Sequence, residues 1–224
     1  MFLKEKVLKI FMEKKAHMAE EKKPVCKKGW ENAYGWHLYI IAMLLFNAIV
    51  IAPAILLSAG HGEIAHPMYE ALHATCHQLD SRSLCYFPDS GQIIGNCVAE
   101  EKGLVLQRSE QIASAGGAVG YKLGVCSRDI AIYLFMLLGA LFWPFYAKGK
   151  EAGGLWPKPI WLLLAMAPIA IDGGTQFIGL RESSNLLREI TGAIIGFAMP
   201  FYLIPLMNQL LNPLIGDILR KIRK

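Results

Sequence analysis

Four stretches of the chain are apolar over lengths that suit a bilayer crossing, which takes roughly 17–25 helical residues. The first runs from about Trp36 to Ser58 and carries no charge. The second runs from Ile130 to Tyr146, with Pro144 near its end, where a proline is expected to kink a helix. The third runs from about Ile160 to Leu180, and Asp172 and Gln176 interrupt its far half. The fourth runs from about Asn185 to Leu211, with Arg188 and Glu189 in its first turn. Trp30, Trp36, Trp143, Trp156 and Trp161 all fall near span ends, where the amphipathic indole prefers the headgroup region.

Between the first two spans, residues 59–129 form the one sizeable region outside the apolar stretches. Pro67 is placed to open a helix running to about Gln78. Turn signals at Pro88-Asp89-Ser90-Gly91 and Glu101-Lys102-Gly103 separate short β-leaning runs. Gly116, Gly117, Gly120 and Gly124 then lead into the second span. So long a connection predicts a small folded lid rather than a bare loop.

The pattern therefore predicts an all-α membrane protein: a four-helix bundle with a folded extracytoplasmic lid. Residues 1–35 form a cytoplasmic amphipathic segment, 36–211 the membrane domain with its outer lid 59–129, and 212–224 a basic amphipathic tail. Both terminal segments suit an anionic cytoplasmic leaflet, or equally a partner membrane subunit.

Charge sets the orientation. Residues 1–35 carry nine Lys and five Glu, the 147–159 connection three Lys and one Glu, and the tail four basic residues and one Asp. Residues 58–129 carry five basic and eight acidic residues, and 172–189 two Arg and three acids. The positive segments alternate with the acidic ones, so the positive-inside rule puts both termini in the cytoplasm. Composition agrees, with 54% hydrophobic residues, 18% charged and a mean hydropathy of +0.35. The net charge of +5 does not point to nucleic acid, because the basic residues flank apolar segments. The charged start, MFLKEKVLKIFMEKK, predicts no cleaved signal peptide.

The chemistry-bearing residues gather on the outer side. His73, Cys76 and His77, spaced to share a helical face, could join Cys126 as zinc ligands. Alternatively the four outer cysteines form two bridges, and three pairings exist. Cys85–Cys97 with Cys76–Cys126 is the favoured pairing, because Cys85 and Cys97 flank an apparent hairpin. A third reading makes Cys126 a reactive thiol, acidified by a helix N-terminus and Arg128. Without CxxCH, c-type haem attachment is excluded. Ser127 or Asp129 is placed to cap the second span, and Tyr133 follows one turn after Asp129.

A carboxylate such as Asp172 inside a span is costly unless paired, so it is a functional candidate by default. Arg82, Arg128, Arg181 and Arg188 could grip a phosphate or carboxylate bidentately. A salt bridge from Asp172 to Arg188 would instead tie the third and fourth spans together. Gln78, Asp129, Tyr133, Gln176, Asn185 and Thr191 complete the polar seam, and Asp172, Cys126 and His77 are the candidates for acid/base or redox work.

The combination Cys76-His77-Gln78 with Arg82-Ser83, Val125-Cys126-Ser127-Arg128 with Tyr133, Asp172-Gly173 with Gln176, and Arg181 with Ser183, Asn185, Arg188, Thr191 and Gly192 resembles a family of small prokaryotic membrane proteins of unknown function. The resemblance covers about residues 70–197 and implies a common site near the outer face, with no assigned activity. Relatives carry a second cysteine and a Thr-Gly after the arginine, where this chain has Asp129 and Ile130-Ala131, so chemistry needing two neighbouring cysteines is not implied. Two functions remain open. One is a site that binds or processes an anionic or lipid-linked small molecule, with membrane lipid as its surroundings. The other is a non-catalytic accessory subunit of a larger membrane complex.

Overall fold

The computed structural model of the protein describes residues 34–90, 93–98, 107–113, 117–150 and 155–222. The amphipathic helix expected near the N-terminus lies outside them. The described elements run α1 (Tyr34–Ser58), α2 (Gly62–His73), a 3-10 turn (Asp80–Arg82), β1 (Ser83–Tyr86), β2 (Ile94–Asn96), β3 (Gln111–Ala113), β4 (Val119–Cys126), α3 (Ser127–Ala147), α4 (Pro159–Phe177), α5 (Asn185–Ala198) and α6 (Pro200–Ile222).

Four segments are long and apolar enough to cross a membrane: α1, α3, α4 and, taken together, Asn185–Ile215 of α5 and α6. Their bounds lie close to the four apolar stretches of the sequence. Only Met199, itself helical in φ and ψ, separates α5 from α6. The basic tail is not a separate element, for helix α6 runs on through Pro213 to Ile222.

The chain is mostly helical, but the all-α expectation is corrected by a four-stranded antiparallel sheet in the order β2-β1-β4-β3. Its long strand β4 occupies the glycine-rich run that read as a lead-in to the second span. Glycines weaken strand propensity, so the pattern was hidden. Here they serve close approach. A Cβ on Gly120 would sit 2.3 Å from the Phe87 ring, and one on Gly124 2.4 Å from Leu72 and 2.8 Å from the Val50 carbonyl. The β1–β2 hairpin does form, and the Cys85–Cys97 disulfide crosses it.

A second correction concerns α2. It starts at Gly62, holds Pro67 inside and ends at His73, short of the expected Gln78. Thr75 Oγ1 bonds the Leu72 carbonyl as the helix unwinds, and Gln78 turns the chain with φ of 51°.

Helices α3 and α5 approach each other closely at glycines. A Cβ on Gly192 would lie 2.7 Å from the Arg128 carbonyl, and one on Gly196 2.4 Å from that of Ile132. Small residues four apart let two helix backbones touch, as in apolar helix pairs generally. Helix α4 is attached differently. Its one buried residue is Asp172, while Leu163, Leu164, Ile171 and Phe177 are exposed. The sheet packs where the C-terminal half of α1 meets the first turn of α3, through Val50, Leu72, Cys76 and Val125.

Candidate functional site

Two helix N-termini and one helix C-terminus converge beside the sheet. Helix α3 begins at Ser127 directly from β4, and α5 begins at Asn185 behind the N-cap Ser184, whose Oγ accepts from the Leu187 N–H at 3.3 Å. Neither Ser127 nor Asp129 holds the cap position of α3; Cys126 does, and its side chain makes no capping bond to the backbone. Ser127 Oγ instead donates to Asn185 Oδ1 at 3.1 Å and joins the two helix starts. Asn185 Nδ2 reaches Asn96 Oδ1 of β2 at 2.9 Å.

The four expected arginines gather here. Asp172 Oδ2 accepts from Arg128 at 2.5 Å and Oδ1 from Arg181 at 2.8 Å. The expected Asp172–Arg188 bridge is therefore corrected: both carboxylate oxygens are already taken, one by the first turn of α3 and one by the α4–α5 turn. Arg188 donates to Asn185 Oδ1 at 2.9 Å and approaches Glu182 Oε2 at 3.6 Å. Glu182 also pairs with Arg82 at 3.2 Å and accepts from Gln176 Nε2 at 2.8 Å. Sequence reasoning passed over Glu182, whose position in an exposed turn resembles any loop acid. Arg188 feels the charges of Arg82 and Arg128 as well.

The cluster thus holds four guanidinium groups against Asp172 and Glu182. The exposure of the side chains is graded, with Arg188 at 4%, Arg128 at 20%, Arg82 at 25% and Arg181 at 42%. Arg82 Nε and Arg128 Nε are buried without a hydrogen-bond partner among the described residues. The N-terminal dipoles of α3 and α5 add positive potential. Thr191 bonds its own helix at the Leu187 carbonyl, 2.9 Å away, and takes no part in the cluster.

Next to the arginines lie Cys76, Cys126 and Asp129. The favoured Cys76–Cys126 bridge is not formed, and both residues are thiols. Each sulfur has another partner: the Cys126 N–H donates to Cys76 Sγ at 3.2 Å, and Cys126 Sγ donates to Asp129 Oδ2 at 3.2 Å. The contact between the two thiol side chains lowers the pKa of Cys76, while that same contact, burial and Asp129 push that of Cys126 well up. The two histidines do not join this group. Helix α2 ends before Cys76, so no helical face is shared; His73 hydrogen-bonds Arg108, and His77 is exposed. Tyr133 packs edge-on against Phe46 at 4.6 Å.

Gln78 holds the sheet to α2. Its side-chain amide donates to the carbonyls of Tyr69 and Gly124, and its own carbonyl accepts from Lys122 Nζ at 2.8 Å. Lys122 also pairs with Asp80 at 3.0 Å, both side chains almost wholly buried. This ion pair was not foreseen, since 42 residues separate its partners and neither sits in an apolar run. Burial lowers the Lys122 pKa despite Asp80, and burial raises that of Tyr69, whose hydroxyl donates to the Lys122 carbonyl.

The comparisons bear on this same region. A family described as a predicted membrane protein (DUF2085) matches residues 118–202, from β4 into α6. An uncharacterized protein of Methanocaldococcus jannaschii is 42% identical over 92 residues, which is 41% of this chain and 58% of that protein. An uncharacterized protein of Methanothermobacter thermautotrophicus is 38% identical over 80 residues, covering 36% of this chain and 68% of that protein. No solved structure matches. With these matches and its four membrane-length helices, the chain belongs to the DUF2085 family of predicted membrane proteins.

Proposed function

We propose that this multi-pass protein holds an anionic small molecule, free or lipid-linked, at the arginine cluster on the non-cytoplasmic side. The sheet and α2 form the lid over that end, and the basic termini stay in the cytoplasm. The carrying observation is the excess of guanidinium groups over carboxylates in a partly buried place. Among the described residues, four arginines meet two acids, and two buried Nε donors are left without hydrogen-bond partners. Gathering like charges in dehydrated surroundings costs free energy, and an arriving phosphate or carboxylate offsets it through charge-assisted, bidentate bonds. The exposure gradient from Arg181 to Arg188 suits an anion entering from the surface. Asp172 orients Arg128 and Arg181 and serves as counter-ion when the site is empty.

A second reading, the accessory subunit, is favoured by Asp172 alone. It is the only buried residue of α4 and is satisfied at both oxygens, as a helix lock would be. Native mass spectrometry of the detergent-purified protein separates the two. The binding reading predicts a phosphorus- or carboxylate-bearing adduct that Arg181→Gln or Arg188→Gln removes while the protein stays folded. A bare protein mass in both wild type and variants leaves only the lock.

A further inference from the structure

Cys76, Cys126 and Asp129 each offer one ligand atom, and these atoms all lie within 4.8 Å of one another. They come from three places in the chain: the segment after α2, the last residue of β4 and the first turn of α3. Each is fixed independently. Gln78 clamps the Cys76 segment to Tyr69 and Gly124. The pairing of Cys126 with Ser83 fixes the end of β4. Helix α3 carries Asp129 on the turn that follows. Around the two sulfurs pack Val50, Leu72, Val125, Phe46 and Ile130. The nearby ammonium of Lys122 is bonded to Asp80 and the Gln78 carbonyl.

Two thiols and a carboxylate that converge in an apolar enclosure are a donor set for a thiophilic divalent cation. We propose that Cys76 Sγ, Cys126 Sγ and the Asp129 carboxylate bind one zinc-class ion, with the fourth tetrahedral position open to water or an exogenous anion. Zinc–sulfur bonds of about 2.3 Å put two thiolates about 3.8 Å apart across a tetrahedron, inside the spread of these donors. Binding forms two metal–sulfur bonds and one metal–oxygen bond and releases the two thiol protons, so it strengthens as pH rises. The carboxylate speaks for a cation over a bridge. A disulfide has no use for Asp129, and Cys85–Cys97 shows that a bridge closes elsewhere in the same sheet. Neither histidine of the earlier zinc set is needed. This proposal goes beyond the anion site and does not depend on it, although Arg128 stands between Cys126 and Asp129.

The test uses the full chain carrying Cys26→Ser, purified from membranes without chelator. Elemental analysis should find about one equivalent of zinc, as a single site requires. Cobalt added to the stripped protein should give a thiolate-to-cobalt charge-transfer band and the d–d bands of a tetrahedral ion. Cys76→Ser and Cys126→Ser should each cost about half or more of the charge-transfer band, and the double variant should abolish it. Asp129→Asn should keep that band and weaken cobalt binding at least about tenfold, and His77→Ala should change nothing. In the Cys26→Ser chain with no other change, bound zinc should shield both thiols from an aromatic disulfide reagent until a chelator is added, a readout that does not depend on the ligand variants folding. Absence of zinc together with no cobalt band overturns the proposal. So does a band that keeps its full intensity in Cys76→Ser or survives the double variant, or recovery of Cys76 and Cys126 as a disulfide from the native protein.

Discussion

At Asp172, the carboxylate is held by Arg128 and Arg181 and not by Arg188. Asp172→Asn should cost roughly 3 kcal/mol, because two arginines lose their counter-charge. Adding Arg128→Gln should recover much of that loss, and adding Arg188→Gln should recover none of it; chemical denaturation in detergent measures both. Arg188 behaves in the opposite way. It is buried beside Arg82 and Arg128 with one distant carboxylate contact, so Arg188→Gln should leave the anion-free protein as stable as wild type or more so. A site that sacrifices stability for binding behaves like this. The buried Lys122–Asp80 pair gives a third residue-scale expectation. Lys122→Met should cost about 3–5 kcal/mol by stranding Asp80, and Asp80→Asn in the same chain should restore most of it. Burial holds the Lys122 pKa below its ordinary 10.5. Between the folded and unfolded values the unfolded chain binds the extra proton, so wild-type stability should rise with pH across that alkaline window. The double variant should lose this slope.

Among the elements, the α3–α5 contact depends on absent side chains and the α4 contact on charged ones. Gly196→Ala would drive a Cβ to 2.4 Å from the Ile132 carbonyl, whereas a Cβ on Gly174 meets nothing within 4 Å. The first should cost about 1–3 kcal/mol and the second should be neutral or slightly stabilising, as helix propensity favours alanine. Unfolding both variants in parallel checks the contrast. The helices were legible in the sequence because a bilayer-length apolar run admits few other structures, and four such runs match the four membrane-length segments. Strand β4 was not legible, because Gly120 and Gly124 mask its propensity for reasons that lie in Phe87 and Val50, far away in the chain. The arginines could be named from their place on the outer side, Arg82 in the lid and Arg128, Arg181 and Arg188 near the ends of spans. Their partners could not, since Glu182 reaches Arg82 across 100 residues and helical spacing says nothing about such a contact. The Cys85–Cys97 bridge followed from turn chemistry. The Cys76 and His77 spacing misled, because it assumed a helix that ends at His73.

For the whole molecule, the paired helix starts, the sheet and the arginines all lie at one end of the four apolar segments. By the positive-inside rule, the three Lys of the 147–159 connection make the opposite end the expected cytoplasmic one. A cysteine placed at Lys150 should react with an impermeant maleimide only after the membrane is opened; labelling in intact cells would reverse the orientation. The clustered arginines are proposed as an anion site and not merely a helix lock. Thermal unfolding in detergent, with inorganic phosphate or phosphatidic acid added at constant ionic strength, tests it most directly. A ligand that binds only the folded state raises Tm, by about 2.7 kcal/mol of stabilisation at a hundredfold excess over Kd. An anion site gives a saturable rise in wild type and none in Arg128→Gln/Arg188→Gln, with phosphatidic acid alone effective if the ligand is lipid-linked. An unchanged Tm in wild type, or an equal rise in the double variant, would contradict it.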